Sequence, residues 1–444
     1  MRKTYLVFAG IVLFVFACTH DTYSPLDLEL LNLLGDSERY ILPKSDDYAN
    51  LPNQDPKNPV TPSKVSLGKM LFFETGIGLD PTYSESKSAY SCSSCHIPER
   101  NFTAGRFQGI ADGAIGFGFS GEGRFKNPHY QGDEVDAQGA RPLPVINTAY
   151  VTNALWAGSF GSFNVNEGTE SAWHQDTLVE INFRGVMGLE ANNERALIVH
   201  RQVVNKAVTD SLGYTAMFDE AFPEIPVSER YTLKTAGFAI AAYFRTILTN
   251  QAPFQEWLKG DRDAMSEQQK RGAMLFFGKA GCNRCHNSPS LNSSPHQFFA
   301  LGVNNLYQEH GNHVFRTGPE DKRNTGRGGF TGRPEDMHKF KVPQLYNMKG
   351  IGFYFHGASK SSLREVVEYF NNGVPENPLV PAGQITPLFT TPLGLTEKEI
   401  DDLVEFLENG LYDPNLKRYA PDQILSGNCF PNNDPLSRMD MGCE

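Results

Sequence analysis

With 444 residues, 40% of them hydrophobic and 20% charged, the chain has the make-up of a globular protein and length for more than one domain with its own core. That composition excludes disordered and fibrous classes. Its 51 acidic residues against 40 basic ones argue against nucleic acid as a partner, and suit either a basic protein partner or simply a soluble surface.

The chain opens with Arg2 and Lys3, an apolar run from Tyr5 to Phe16, and Ala17 before Cys18. The run is too short to span a bilayer and reads as an export signal. The order resembles a bacterial lipoprotein signal, although Val15 stands where Leu is usual. It implies an exported, periplasmic chain anchored to the membrane by lipid on Cys18. Residues 1–18 are therefore expected to be a signal peptide, and residues 19–60, rich in Pro, Asn and Asp, a tether.

A helix is expected from Thr61-Pro62, with Thr as cap and Pro in the first turn. It carries Leu67-Gly68-Lys69-Met70-Leu71-Phe72-Phe73, which returns as Arg271-Gly272-Ala273-Met274-Leu275-Phe276-Phe277 in a second helix headed by a Ser266/Gln269 capping box. Each copy runs toward a C-x-x-C-H: Cys92, Cys95 and His96 in the first, Cys282, Cys285 and His286 in the second. This is the attachment signature of c-type haem: one turn brings both sulfurs to a porphyrin edge, and the next residue supplies an iron ligand. A thioredoxin-like pair needs no His, and zinc needs further ligands at similar spacing. Two covalently bound haems c in two homologous units are expected.

Between the motifs lie a Gly-rich, weakly patterned stretch from Gly105 to Gly139 and a helical region from Glu194 to Leu258. Beyond the second motif, residues 287–340 are loop-like. Two more helices are expected: Ser362 to Asn371, stopped by Gly373, and Thr396 to Asn409, with a Thr396/Glu399 capping box and Gly410 as the stop. The fold class is mainly α, two cytochrome c-like haem domains with long loops, over 61–258 and 259–425. A tail at 426–444 holds Cys429 and Cys443, which an oxidising compartment would allow to close a loop.

Four fragments occur in order over roughly residues 61 to 410. They are Gly68 to Phe73 before C-S-S-C-H, Arg141-Pro142-Leu143-Pro144-Val145-Ile146-Asn147, Lys339-Phe340-Lys341-Val342-Pro343-Gln344-Leu345-Tyr346-Asn347, and Phe355-His356-Gly357. As a set they resemble the bacterial dihaem cytochrome c peroxidase family, which includes the MauG-type enzymes. The resemblance implies that the first haem, on His96, reduces hydrogen peroxide to water, and that the second, on His286, receives electrons from a small c-type cytochrome or cupredoxin. It leaves room for a MauG-like oxidase acting on another protein. A dihaem electron carrier without turnover is the reading from outside the enzymes, and a homodimer stays open.

The resemblance also implies roles at single positions. Trp156, in Leu155-Trp156-Ala157-Gly158-Ser159, occupies the place of a Trp that bridges the haems, though the neighbouring Asp and Arg are lost; a packed core aromatic is the competing reading. A calcium site maps to the Asn147 side chain and the carbonyls of Ile351 and Phe353, against a buried, hydrogen-bonded Asn. The catalytic acid falls on Glu190 in one register, with Glu180 in the place of the family's Gln. In the other register Gln202 takes the acid position and His200 beside it is the rival. The family's switchable His falls in the loop after C-x-x-C-H, where this chain has none between His96 and His129; the resemblance then implies a first site open without reductive activation, with His129 reading either as a ligand that reaches the iron or as a loop residue. Fourteen residues after His356 stands Phe370, which cannot ligate iron; Tyr369 and Met348 are close but out of register.

Overall fold

The internal repeat becomes two equivalent helix crossings. The computed structural model describes residues 23–443. Seven helices carry the architecture: α1 (Pro25–Leu34), α2 (Pro62–Phe73), α3 (Gly188–Val199), α4 (Leu233–Thr246), α5 (Glu267–Phe277), α6 (Leu363–Asn372) and α7 (Glu397–Glu405). α2 starts where the Thr61 hydroxyl accepts from the Lys64 amide, and α5 where Ser266 and Gln269 cap each other. The repeated glycine lets each of these helices touch a neighbouring backbone. A Cβ on Gly68 would lie 1.9 Å from the Ala239 carbonyl oxygen of α4, and one on Gly272 would lie 2.0 Å from that of Asp402 in α7. Only glycine permits either backbone approach.

Each crossing seeds its own hydrophobic core. Phe72 and Phe73 pack with Tyr243 and Phe244 in the first; Phe276 and Phe277 pack with Phe254 and Phe406 in the second. A fully buried Phe contributes roughly 1.5–3 kcal/mol, so the repeated aromatic pair is a large share of each core. The result is a mainly helical protein of two cytochrome c-like units with long loops. Only two short antiparallel ladders occur among the described residues: Ala114–Ile115 with Phe125–Lys126, and Phe298–Phe299 with Phe340–Lys341.

Two segments differ from expectation. The stretch read as a tether is packed structure from Pro25 onward. Ser24 and Asp27 form a capping box, Asp27 accepts from Trp257 Nε1 at 2.7 Å and pairs with Lys270 Nζ at 2.8 Å, and Leu30, Leu34, Tyr40 and Leu42 join the second core. Its Pro- and Asp-rich composition hides one short amphipathic helix. The tail, in turn, folds back on the first unit. Cys429 and Cys443 form a disulfide with Cα atoms 6.0 Å apart. Asp434 pairs with the buried Arg124 at 3.4 Å, and the Pro431 carbonyl accepts from both Ser91 and Ser94 at 3.1 Å. The tail therefore buttresses the first C-x-x-C turn.

Cys18 and the signal segment lie outside the described residues. Among those described, no helix is long and apolar enough to cross a membrane.

Candidate haem sites

Both C-x-x-C-H motifs fold alike. Cys92–Ser94 and Cys282–Arg284 are single 3-10 turns, and the four thiols are unbridged. His96 Nδ1 donates to the Phe102 carbonyl at 3.1 Å and His286 Nδ1 to that of Leu291 at 2.6 Å. In each case Nε2 is left to ligate, with its orientation fixed by the backbone. Burial pushes both imidazoles down to about 4, so they are neutral ligands at any working pH. Phe72 and Phe276, the same position of the repeat, lie 6.5 and 6.3 Å from these rings.

Around the second motif a cavity of about 400 Å³ is lined by Cys282, Cys285 and His286 together with Trp156, Phe340 and Phe370. His356 also lines it, stacked on Phe340 with centroids 3.5 Å apart and its Nε2 held by Asn305 Oδ1 at 2.9 Å. Lys341, on the same wall, donates to the Asn153 carbonyl at 2.6 Å, and burial pushes its ammonium down to about 7. Size, apolar walls and attached thiols together suit a porphyrin.

The first motif is surrounded by polar groups from the Gly-rich stretch. His200, at the end of α3, donates from Nδ1 to Asp136 Oδ2 at 2.7 Å; the Asp136 side chain is 2% exposed and that of His200 26%. Burial works against the charged His200, but the Asp136 carboxylate outweighs it and raises the imidazole above its usual value. The loop that carries Asp136 passes the motif two residues later: one point, a Cβ built on Gly109, lies 2.5 Å from Gln138 Oε1 and 2.7 Å from Cys95 Sγ. Gln138 Oε1 and both amide atoms of the buried Gln202 have no protein partner. Of these, Gln138 Oε1 lies at that attachment point and is an open acceptor that a group bound there can meet. The residues present thus fit a haem at both motifs.

The other candidate residues divide between core, cavity and surface. Glu190 is fully buried and committed: Arg245 grips both its oxygens at 2.6 and 2.9 Å, and Asn58 Nδ2 donates at 2.9 Å. This ties α3 to α4 and leaves no lone carboxyl facing a site. Trp156 lines the second cavity, donating from Nε1 to the Arg141 carbonyl at 2.8 Å and meeting His356 edge-on at 6.2 Å. His129 is a surface residue, 74% exposed and paired with Glu85. Met348 and Phe370 line the second cavity, whereas the Tyr369 hydroxyl donates to the Leu301 carbonyl. Asn147 is held by protein: Oδ1 accepts from the Thr249 amide, and Nδ2 donates to Thr249 Oγ1 and Gln344 Oε1. Ile351 is buried and Phe353 half-buried. Among the described residues no group of three or more His, Cys, Asp or Glu could hold a metal ion. Asp136, 64 residues before His200, carried no signal in the sequence.

Fold and sites together define a dihaem c-type oxidoreductase. The family model for di-haem cytochrome c peroxidase matches residues 62–263. The chain is 30% identical over 362 residues to the methylamine utilization protein MauG of Methylorubrum extorquens, covering 80% of each. It is 29% identical over 368 residues to the cytochrome-c peroxidase IdrP1 of Denitromonas iodatirespirans, covering 79% of this chain and 82% of the relative. The fold matches a MauG-like protein associated with microbial copper homeostasis, with a TM-score of 0.57 at 22% identity over 89% of this chain and 98% of that one. The chain belongs to the di-haem cytochrome c peroxidase family, and with that membership come two haem c groups.

Proposed function

We propose that the protein reduces hydrogen peroxide to water at the first site, with electrons entering through the second from a small c-type cytochrome or cupredoxin. The observation that carries this reading is the hydrogen bond of the half-buried His200 to the buried Asp136 in the first unit, where the motif of the second unit faces an apolar cavity instead. Bound haem supplies the iron that holds peroxide and passes the electrons that break its O–O bond. The chain's own residues manage the protons. His200 Nε2 would take a proton from hydrogen peroxide and return it to the departing oxygen; peroxide with two further protons and two electrons then gives two waters. Glu190 is not assigned this role, because Arg245 already holds both its oxygens. The reading gives Trp156 the electron route between the sites, supported by its position on the wall of the second cavity. The chain acts on the periplasmic side, held through lipidated Cys18, which mass spectrometry of the mature N-terminus tests.

The functional test mixes oxidised and half-reduced holoprotein with peroxide and follows the Soret band together with oxidation of a ferrocytochrome. Both change if the reading holds. Neither changing leaves an electron carrier and overturns it. A Soret response without donor oxidation also overturns it, in favour of an oxidase acting on a protein substrate.

A further inference from the structure

We propose that Asp136 is the positioning residue of the first site, fixing His200 so that Nδ1 carries the proton and Nε2 faces the haem. The proposal rests on the reading of His200 as proton carrier. His200 sits where α3 ends, and its Nε2 has no protein hydrogen bond among the described residues. The main chain at Asp136 is pinned: its amide donates to the Asp112 carbonyl and its own carbonyl accepts from Ala111, both at 2.9 Å, while the side chain is 2% exposed. Two residues on, the same strand of loop passes the haem attachment point. A Cβ on Gly109 would lie 2.5 Å from Gln138 Oε1 and 2.7 Å from Cys95 Sγ.

The next residue is held by the same device. Arg201 adopts a left-handed backbone at φ 56°, sustained by an ion pair with the buried Asp112 and by donation to the Glu134 carbonyl at 3.1 Å. The Tyr90 hydroxyl and the Asp80 amide both donate to the Arg201 carbonyl. Two loop carboxylates, Asp136 and Asp112, thus orient two consecutive residues, and the Gly-rich stretch is a scaffold for the helix end. A neutral imidazole has one ring proton, and an acceptor on one nitrogen decides which one carries it. With Asp136 on Nδ1, Nε2 is the basic atom. The charged groups that act on His200 are Asp136, which favours its protonation, and Arg201, which opposes it; His96 lies within electrostatic reach.

The test compares holoprotein variants Asp136→Asn and His200→Gln, using the pH profile of cyanide association with the ferric protein beside the peroxide reaction. Binding HCN as cyanide also needs a base, so this readout is independent of turnover. Asp136→Asn is expected to slow both processes roughly 10–100-fold, as outer-shell partners do, and to move the profile's inflection to lower pH. A wild-type rate and unshifted profile in Asp136→Asn, with His200→Gln slow, overturn the proposal and spare His200. A wild-type rate in His200→Gln overturns the underlying reading itself. Should Asp136→Asn not load haem, ¹⁵N-histidine NMR of the reduced, carbonyl-bound wild-type protein decides: an Nδ1-protonated His200 supports the proposal and an Nε2-protonated one refutes it.

Discussion

The two haem units share a frame and differ in everything laid over it. Gly68 and Gly272 make the same helix crossing, Phe72 and Phe276 the same approach to the proximal ring, and both His Nδ1 atoms donate to a backbone carbonyl. Over the first motif, however, lie a carboxylate-bearing loop and a disulfide-closed tail. The second motif faces a cavity with Phe340 and Phe370 on its walls. The loops give a duplicated attachment site two different surroundings, one with a His–carboxylate pair and one an apolar cavity, and the proposed division of labour rests on that difference.

The largest expected effect separates frame from chemistry. Glu190→Gln leaves Arg245 buried without its partner and should cost about 3–5 kcal/mol, lowering the melting temperature of the first unit by roughly 10 °C. The peroxide rate per folded molecule should stay at the wild-type value; a loss of rate at unchanged stability would return Glu190 to the catalytic role. Next, Cys429→Ser should cost roughly 2–3 kcal/mol, near the figure for a loop of this length. Limited proteolysis should then show the tail and first unit opening while the second stays protected. Gly68→Ala and Gly272→Ala should each cost about 1–3 kcal/mol through overpacking. Denaturant melts giving one large and one negligible effect would break the equivalence of the two crossings.

A subtler contrast lies in pH. The folded His200 is raised, so its contribution to stability is full below its ordinary value of 6.5 and lost as pH rises through the folded one. Lys341 is lowered to about 7 from 10.5, so between those values the unfolded chain binds more protons and stability rises with pH. Stability profiles of His200→Gln and Lys341→Met against wild type should therefore differ in opposite directions.

Much of the frame was legible in the chain. The caps at Thr61, Ser266, Ser362 and Thr396 and the repeated G-x-M-L-F-F placed α2, α5, α6 and α7, because caps and glycine crossings are local events written in neighbouring residues. α1 escaped notice since its two core leucines sit in a Pro- and Asp-rich stretch. The loops were opaque for a different reason. Asp136 reaches His200 across 64 residues without periodicity, and the partner of Glu190 lies 55 residues further along the chain. A local match can supply a carboxylate, but only tertiary contact decides whether it is free to act.

The proposed division between the sites comes down to one residue: on that reading protons move at the first site alone, through His200. Stopped-flow mixing of peroxide with half-reduced wild type and His200→Gln is the decisive experiment. The expected result is a fall of roughly 10²–10⁴-fold in the peroxide-dependent Soret change, with the second haem's spectrum and reduction by ferrocytochrome unaltered. An unchanged rate in His200→Gln would refute that division.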